Sequence, residues 1–244
     1  MKKRLLWCAA LCVAGAWFPA LTWAGDGVEA SAGLDVTSNY IWRGQDLGGA
    51  AFQPTLGIAY KGLSLTGWGS YGFTDRDDTK ELDFTLAYEW RGLTVGLTDY
   101  YCTAGTENCP GNYFTYKKHR TGHVWEANVG YAWDFLSVNW FTNIGGADGE
   151  RNGGHRAYSS YLELSAPFRL AGLDWEATVG VVPYSTSYYA EADNFTVTCV
   201  GLKASYAFKL ANRFDLPLYV AAAANPSDKK IYLTAGVSIL INNH

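Results

Sequence analysis

The chain contains 244 residues, with 19 Lys and Arg against 23 Asp and Glu, and its formal net charge is −4. This balance argues against a nucleic-acid partner, because nucleic-acid binding requires a clustered basic face. Only 17% of the residues are charged while 16% are aromatic, whereas a soluble domain usually carries about 25% charged residues.

The N-terminal segment predicts an export signal. Residues 2–4 are basic, residues 5–21 are apolar, and residues 22–24 place small side chains around a cleavage point. We therefore expect residues 1–24 to form a signal peptide and residues 25–244 to form one domain outside the cytoplasm, with an uncleaved signal anchor as the alternative. Beyond the signal no apolar run approaches about 18 residues, so no transmembrane helix is expected.

The remaining sequence alternates between apolar and polar residues, which is the period of a half-buried strand. In residues 80–101 this alternation continues on both sides of Arg91-Gly92, which predicts two strands joined by a tight turn. The same pattern predicts twelve strands, near residues 32–43, 52–60, 63–74, 80–90, 93–101, 125–133, 136–140, 162–169, 173–181, 199–209, 216–220 and 231–242.

The connections between these strands alternate strictly in length. Short connections are expected near residues 61, 91, 135, 171 and 214, and longer, more polar ones lie between them. All short connections therefore fall at one end, as in outer-membrane barrels. We predict an all-β chain that forms a single antiparallel up-and-down transmembrane β-barrel of about 12 strands, with short periplasmic turns and longer extracellular loops. A secreted β-sandwich is the alternative.

The composition of the two strand faces predicts which one is outside. A soluble barrel places its apolar face inward, but twelve strands enclose more space than the eight whose side chains fill a barrel. The polar face contains Gly, Ser, Thr and charged residues, which suit a wet lumen. Aromatic residues at the strand ends predict belts at the membrane interfaces; this set is Trp42, Tyr60, Trp90, Trp125, Trp133 and Phe168.

Charged residues on the polar face are candidates for the lining of a pore. They are Asp35, Arg43, Asp83, Glu126, Glu163, Glu176 and Lys203. Because fixed charges set ion preference in pores, the excess of acids predicts a mild preference for cations. We expect Arg43 to tie the lumen wall to nearby acids rather than to contact solute.

Two cysteines lie close together at the start of the longest expected loop, residues 103–122. Cys102 directly precedes the loop and Cys109 lies within it. In an oxidising compartment Cys102 and Cys109 predict a loop disulfide, which leaves Cys199 free. No His or second Cys pair lies at ligand spacing, so we expect neither a metal nor another cofactor. The basic run at residues 117–120 is interpreted as a solvated loop; the functional alternatives are contact with lipopolysaccharide and folding into the pore.

No residue pattern predicts an enzyme. Ser159 and Ser160 follow His155, but a hydrolase also needs an oriented His beside the nucleophile. Glu81 and Asp83 place two carboxylates on one strand face, a pairing that a glycosidase uses. We interpret all of these as polar groups of the lumen or rim.

Several short motifs add a family resemblance. They are Ser38–Gly44 (SNYIWRG), Pro54, Gly67–Ser70 (GWGS), Glu81–Phe84 (ELDF) and Trp125–Tyr131 (WEANVGY). In this combination they resemble the TorF-type porin family of Gram-negative outer membranes, over residues 35–131. The resemblance implies an outer-membrane barrel with a pore function. The chain departs from the family pattern by inserting Cys102–Cys109 before Pro110-Gly111, and by lacking a terminal aromatic residue.

Together these observations predict passive diffusion of small hydrophilic solutes or ions through a narrow pore. The expected partners are outer-membrane lipid, lipopolysaccharide and the outer-membrane assembly machinery, as well as the solutes. The alternative is a non-conducting outer-membrane barrel with a structural, adhesive or lipid-modifying role. In that case inward Tyr side chains, Trp68 and the third long loop would block the lumen.

Overall fold

A computed structural model describes residues 27–75, 79–102, 112–116, 121–151, 154–190, 194–211 and 214–243. The expected signal segment lies outside these ranges. Within them there is no helix that is long and apolar enough to cross a membrane.

The described residues form sixteen strands, of which twelve build the barrel. The barrel strands are β1 (Glu29–Thr37), β4 (Ala51–Tyr60), β5 (Leu63–Gly72), β6 (Lys80–Trp90), β7 (Leu93–Cys102), β8 (His123–Ala132), β9 (Ser137–Gly146), β12 (Ser160–Leu170), β13 (Leu173–Val182), β14 (Thr196–Ala211), β15 (Phe214–Asn225) and β16 (Lys230–Asn243). Two small strand pairs lie in long connections: β2 (Tyr40–Trp42) with β3 (Gln45–Gly48), and β10 (Glu150–Arg151) with β11 (His155–Arg156).

The twelve strands form one closed antiparallel sheet. Successive barrel strands are hydrogen-bonded neighbours, and β1 closes the sheet by pairing with β16 on one side and β4 on the other. Closure leaves no edge strand in the barrel, because every barrel strand pairs with a neighbour on each side. The twelve-stranded antiparallel barrel expected from the sequence is confirmed, and the β-sandwich alternative is wrong.

Tight turns join the strands at one end of the barrel. Both residues have positive φ in Lys61-Gly62 (47° and 88°), Arg91-Gly92 (51° and 85°) and Ala171-Gly172 (53° and 79°). Positive φ at both central residues is the type I′ geometry, whose twist matches that of the flanking strands. The short connection expected near residue 214 falls partly on residues 212–213, outside the described residues.

The two faces of the sheet differ sharply in polarity. On β4 the side chains of Gln53 and Thr55 are buried, whereas Phe52, Leu56 and Ile58 are exposed. The other barrel strands expose large apolar residues in the same way, among them Leu82, Phe84, Leu86, Val95, Leu97, Val129, Leu202 and Leu218. An apolar surface of this extent is stable against lipid and not against water. The barrel is therefore the membrane-spanning body of the protein.

The first strand expected from the sequence, residues 32–43, is wrong beyond residue 37. β1 ends at Thr37, and the chain then leaves the barrel wall after Ser38, whose backbone N–H donates to the carbonyl of Ala235 at 2.8 Å. Residues 40–48 form the separate hairpin β2–β3. Its turn is Arg43-Gly44, again with positive φ at both residues (51° and 83°).

Candidate functional site

The hairpin β2–β3 and its flanks, residues 38–50, fill the end of the barrel that carries the long connections. We call this segment the mouth hairpin and this end of the barrel the mouth. Its aromatic residues Tyr40 and Trp42 are buried among inward-facing rings of the wall. The ring centroids of Tyr40 and Trp68 lie 5.7 Å apart, and those of Trp42 and Tyr100 also 5.7 Å. The mouth is thus packed like a small hydrophobic core.

Arg43, at the tip of the mouth hairpin, is paired with Glu126 on β8. Its Nη1 donates to Glu126 Oε2 at 2.5 Å and its Nη2 to Oε1 at 3.0 Å, a bidentate arrangement. The hydroxyls of Tyr100 and Tyr189 also donate to this carboxylate, at 2.9 and 2.8 Å. Tyr189 Oη in turn accepts from Arg43 Nη1 at 2.8 Å. The buried ion pair is therefore embedded in a complete hydrogen-bond network.

Aromatic rings surround the guanidinium of Arg43. Its Cζ lies 4.0 Å from the ring centroid of Phe141, 4.5 Å from Trp42, 4.8 Å from Tyr161 and 5.4 Å from Tyr189. Ring faces within about 6 Å attract a cation through their negative quadrupole. The rings thus stabilise the positive charge that Glu126 balances.

Burial and the neighbouring carboxylate act in opposite directions on Arg43. Burial disfavours the charged guanidinium, but the Glu126 carboxylate favours it, and the pKa of Arg43 is raised well above its ordinary value. Burial, reinforced by the charge of Glu126, also raises the pKa of the Tyr189 hydroxyl well above its ordinary value. Arg43 therefore keeps its charge, and Tyr189 keeps the proton that it donates.

The mouth hairpin reaches two further sides of the barrel. The Tyr40 hydroxyl donates to Glu81 Oε2 on β6 at 3.0 Å. On the opposite side, Asn225 Nδ2 at the end of β15 donates to the carbonyl of Gly44 at 3.0 Å. Gly44 lies so close to the backbone of Thr198 that a Cβ at this position would collide with it. Contacts on β6, β8, β14 and β15 therefore hold the hairpin across the opening.

One acid of the mouth has no such partner. Asp83 on β6 is fully buried, and no side chain among the described residues donates a hydrogen bond to its carboxylate, whose polar contact is with the backbone of Tyr101. Its cross-strand neighbours are Trp68 and Tyr100. The Nε1 of Trp68 likewise has no acceptor within the described part of the chain. Glu81 and Glu126 are the acidic neighbours of Asp83 on the wall of the mouth.

A second group of candidate pore residues faces the lumen on the side formed by β13, β14 and β1. Glu176 and Lys203 are cross-strand neighbours and half-buried, and Asp35 is buried opposite Gln53 and Ser238. Lys203 Nζ lies 4.3 Å from the ring centroid of Tyr219. This side is more accessible than the mouth.

Glu163 on β12 lies between these two groups. It is buried on the inner face, with Asn139 and Gly180 as its cross-strand neighbours. All seven charged residues proposed from the sequence thus lie inside the barrel. Two of them, Arg43 and Glu126, bind each other rather than lining an open surface.

The expected aromatic belt differs at one residue. Five members of the set are exposed or half-exposed on the outer face: Tyr60, Trp90, Trp125, Trp133 and Phe168. Trp42 instead lies inside the mouth with only 9% of its surface exposed. Its assignment to the belt was wrong, because Trp42 belongs to the mouth hairpin and not to the wall.

The described part of the third long connection packs against the outer side of β7 and β8 and does not enter the mouth. Its Tyr113 carbonyl oxygen lies 2.6 Å from His123 Nε2, and the Tyr116 ring stacks on His123 at 4.4 Å. His123 Nδ1 lies 2.8 Å from Asp99 Oδ1. Cys109 and the basic run at residues 117–120 lie outside the described residues, so the Cys102–Cys109 disulfide remains a prediction.

The remaining candidates for chemistry are engaged in ordinary hydrogen bonds. Ser159 Oγ lies 2.5 Å from Thr186 Oγ1, and Ser160 Oγ lies 2.5 Å from the Tyr184 hydroxyl. Cys199 is a buried thiol that forms no disulfide within the described ranges. Nor do those ranges contain a cluster of three or more His, Cys, Asp or Glu residues that could hold a metal.

The chain matches no protein-family model and no curated protein sequence. Solved structures with a similar fold include outer-membrane porins and channels. The KdgM porin has 8% identity and a TM-score of 0.45 over 88% of this chain and 99% of that one. The NanC porin has 10% identity and a TM-score of 0.41 over 89% and 100%. The COG4313 outer membrane channel from Pseudomonas putida F1 has 8% identity and a TM-score of 0.37 over 88% and 97%.

Proposed function

We propose that this protein is a porin-type barrel of a Gram-negative outer membrane, which passes small hydrophilic solutes or ions and whose mouth is narrowed by its own hairpin. The observation that carries this proposal is the contrast between the two faces of the closed sheet. The outer face is apolar and ends in aromatic residues, while the inner face carries Asp35, Asp83, Glu163, Glu176 and Lys203. Buried charges on a membrane-spanning wall are costly unless water or solute reaches them.

The position of the mouth hairpin implies that its docking controls the size of the pore. Docked, it buries Tyr40, Trp42 and Arg43 against the wall. Undocked, it leaves a lumen as wide as twelve strands allow. Since a barrel of eight strands is just filled by its side chains, a twelve-stranded barrel without the hairpin holds water. We therefore expect a small conductance in the docked state and a larger one after release.

The charge inside the barrel favours cations. Of the seven candidate residues inside the barrel, five are acids and only two are bases: Asp35, Asp83, Glu126, Glu163 and Glu176 against Arg43 and Lys203. Rings and patches of fixed carboxylates enrich cations in a narrow lumen. The proposal that the pore prefers cations stands on this excess.

The test uses the mature protein refolded in detergent and inserted into planar bilayers and liposomes. We expect discrete conductance steps, swelling of liposomes in small sugars or amino acids, and a reversal potential that indicates cation preference in a potassium chloride gradient. Heat-modifiable migration in SDS gels checks that the barrel has folded. An anion-selective reversal potential would contradict the charge argument without affecting the pore itself.

A non-conducting barrel is the second candidate, and the buried mouth hairpin is the observation that favours it. The two candidates are separated by a variant in which residues 39–49 are replaced by a short Gly-Ser linker. If the wild-type barrel and this variant both fold and neither shows flux, the barrel is not a pore. Flux through the variant alone indicates a pore that the hairpin closes.

A further inference from the structure

We propose that the wall of the mouth contains a binding site for a small organic cation with a guanidinium or ammonium group, and that Arg43 occupies this site in place of the solute. This inference rests on the proposed function, because solute reaches the wall through the mouth. Binding is nevertheless measurable without any transport, so the two proposals can fail separately.

The recognition groups belong mainly to the barrel wall and not to the mouth hairpin. Glu126 lies on β8, Tyr100 on β7, Phe141 on β9 and Tyr161 on β12. These strands keep their positions through the hydrogen bonds of the closed sheet, whichever way the hairpin moves. When Arg43 leaves, the carboxylate, the Tyr100 hydroxyl and two ring faces remain in place.

The geometry of this wall fits a flat cation. Both oxygens of Glu126 accept from one guanidinium, at 2.5 and 3.0 Å. The ring centroids of Phe141 and Tyr161 lie 4.0 and 4.8 Å from its central carbon. A carboxylate between aromatic faces accepts the two parallel donors of a guanidinium group and attracts its charge. Such a site should therefore bind guanidinium most tightly and alkylammonium groups less tightly.

The charge of the empty site excludes anions. Without Arg43, Glu126 would be a buried carboxylate with no balancing cation, which is strongly unfavourable. Asp83 on the neighbouring wall is also fully buried, and Glu81 lies on the same face of β6. The vacated wall is therefore a negative, aromatic cleft, and a cation that fills it balances the charge of Glu126.

The same contacts would also exist if Arg43 served only to hold the hairpin. The two roles differ in how a free cation acts on the wild-type protein. A site that exchanges Arg43 for a solute also binds the free cation in wild type, and this binding releases the hairpin so that trypsin cleaves after Arg43 faster. A purely structural pair binds the free cation only after Arg43 has been removed by mutation. The distinction can be measured on the folded barrel in detergent.

The experiment uses Arg43→Ala and, as a second variant that keeps a polar side chain without the charge, Arg43→Gln. Methylguanidinium is the probe, and methylurea is its neutral control of the same shape. Binding is followed by isothermal calorimetry and by tryptophan fluorescence, since Trp42 and Trp68 line the mouth.

We expect saturable binding of methylguanidinium to both variants, at least tenfold weaker binding to wild type, and none to the double variant Arg43→Ala with Glu126→Gln. Methylurea should bind at least tenfold more weakly than methylguanidinium. Equal binding of the two probes, no saturable binding to either folded single variant, or binding confined to the variants with no effect on trypsin cleavage of wild type, would overturn the proposal. Tetramethylammonium tests whether the site also accepts ammonium ions. Saturable binding would support this part of the proposal, and no binding would restrict the site to guanidinium groups.

Discussion

Two Arg–carboxylate pairs of this barrel have the same shortest distance but different surroundings. Arg43 and Glu126 meet at 2.5 Å inside the mouth, where their side chains are 3% and 2% exposed. Arg169 and Asp174 also meet at 2.5 Å, next to the tight turn Ala171-Gly172, where they are 65% and 33% exposed. The comparison shows that distance does not determine what a salt bridge does.

The difference lies in what replaces each partner when it is removed. Water replaces either member of the exposed pair, so such a pair contributes about 0–1 kcal/mol. Removing one member of a buried pair leaves the other charge uncompensated, which costs about 3–5 kcal/mol. In the mouth, the undocking that we propose for the hairpin would return Arg43 to water and so set a ceiling on this cost. The buried pair therefore holds the mouth hairpin in place, whereas the exposed pair lies beside a turn and contributes little to its stability.

The largest effect is expected for Glu126→Ala. This change leaves Arg43 buried without its carboxylate, so the mouth hairpin should undock. Single-channel conductance should rise at least twofold, and trypsin should cleave after Arg43 at least tenfold faster than in wild type. The matched control is Asp174→Ala, which removes the carboxylate of the exposed pair. Unchanged conductance and cleavage in Glu126→Ala would show that the buried pair does not hold the hairpin.

Two glycines allow the hairpin to be displaced without changing any charge. Gly44 and Gly172 have similar positive φ values, 83° and 79°, but a Cβ would meet the Thr198 backbone at Gly44 and nothing within 4 Å at Gly172. Gly172→Ala should therefore cost only the backbone strain, about 1–2 kcal/mol. Gly44→Ala should cost this and also undock the hairpin, which raises conductance. Equal conductance in the two variants would contradict the contact with Thr198.

A smaller effect, of opposite sign, is expected for Asp83→Asn. The change removes a buried charge that receives no side-chain hydrogen bond among the described residues and lies near other acids. The gain in stability should be about 1–3 kcal/mol, seen as a higher temperature for the heat-modified shift in SDS gels. The matched control is Asp174→Asn, which makes the same change in the exposed pair. A lower shift temperature for Asp83→Asn would mean that this carboxylate is compensated after all.

The smallest effect is expected for Arg169→Ala. Because water replaces the lost partner, both stability and conductance should stay within the error of wild type, below about 1 kcal/mol. Chemical denaturation in detergent measures this directly. A loss comparable to that of Glu126→Ala would remove the distinction between the two pairs.

The barrel could be predicted because its signal is local. On strands such as β4 and β6, the polarity of each residue indicates whether it faces lipid or the lumen, and the Gly-containing turns indicate where the strands end. The mouth hairpin was missed because Tyr40 and Trp42 continue the alternation of β1, so that polarity alone assigns them to the outer face. The available signal was Arg43-Gly44, which repeats the dipeptide of the tight turn Arg91-Gly92.

The partners in the mouth could not be predicted from local pattern at all. Arg43 was expected to bind an acid of the lumen, but several candidates shared the polar face of the strands. Which one it reaches depends on how far the hairpin extends into the barrel and on the twist of the closed sheet. Neither the depth of the hairpin nor the twist of the sheet can be predicted from the polarity of single residues. The involvement of Tyr189, from the connection between β13 and β14, had no sequence signal.

The contacts of the mouth hairpin also have a consequence for the order of folding. Barrel strands pair with neighbours along the chain, apart from the closing pair. Arg43, in contrast, lies 83 residues from Glu126 and 146 from Tyr189, and Gly44 lies 181 residues from Asn225. Contacts between such distant residues form late, after the intervening chain has been ordered. The hairpin therefore gains its binding surface only when the barrel has closed, so its docking follows the formation of the wall.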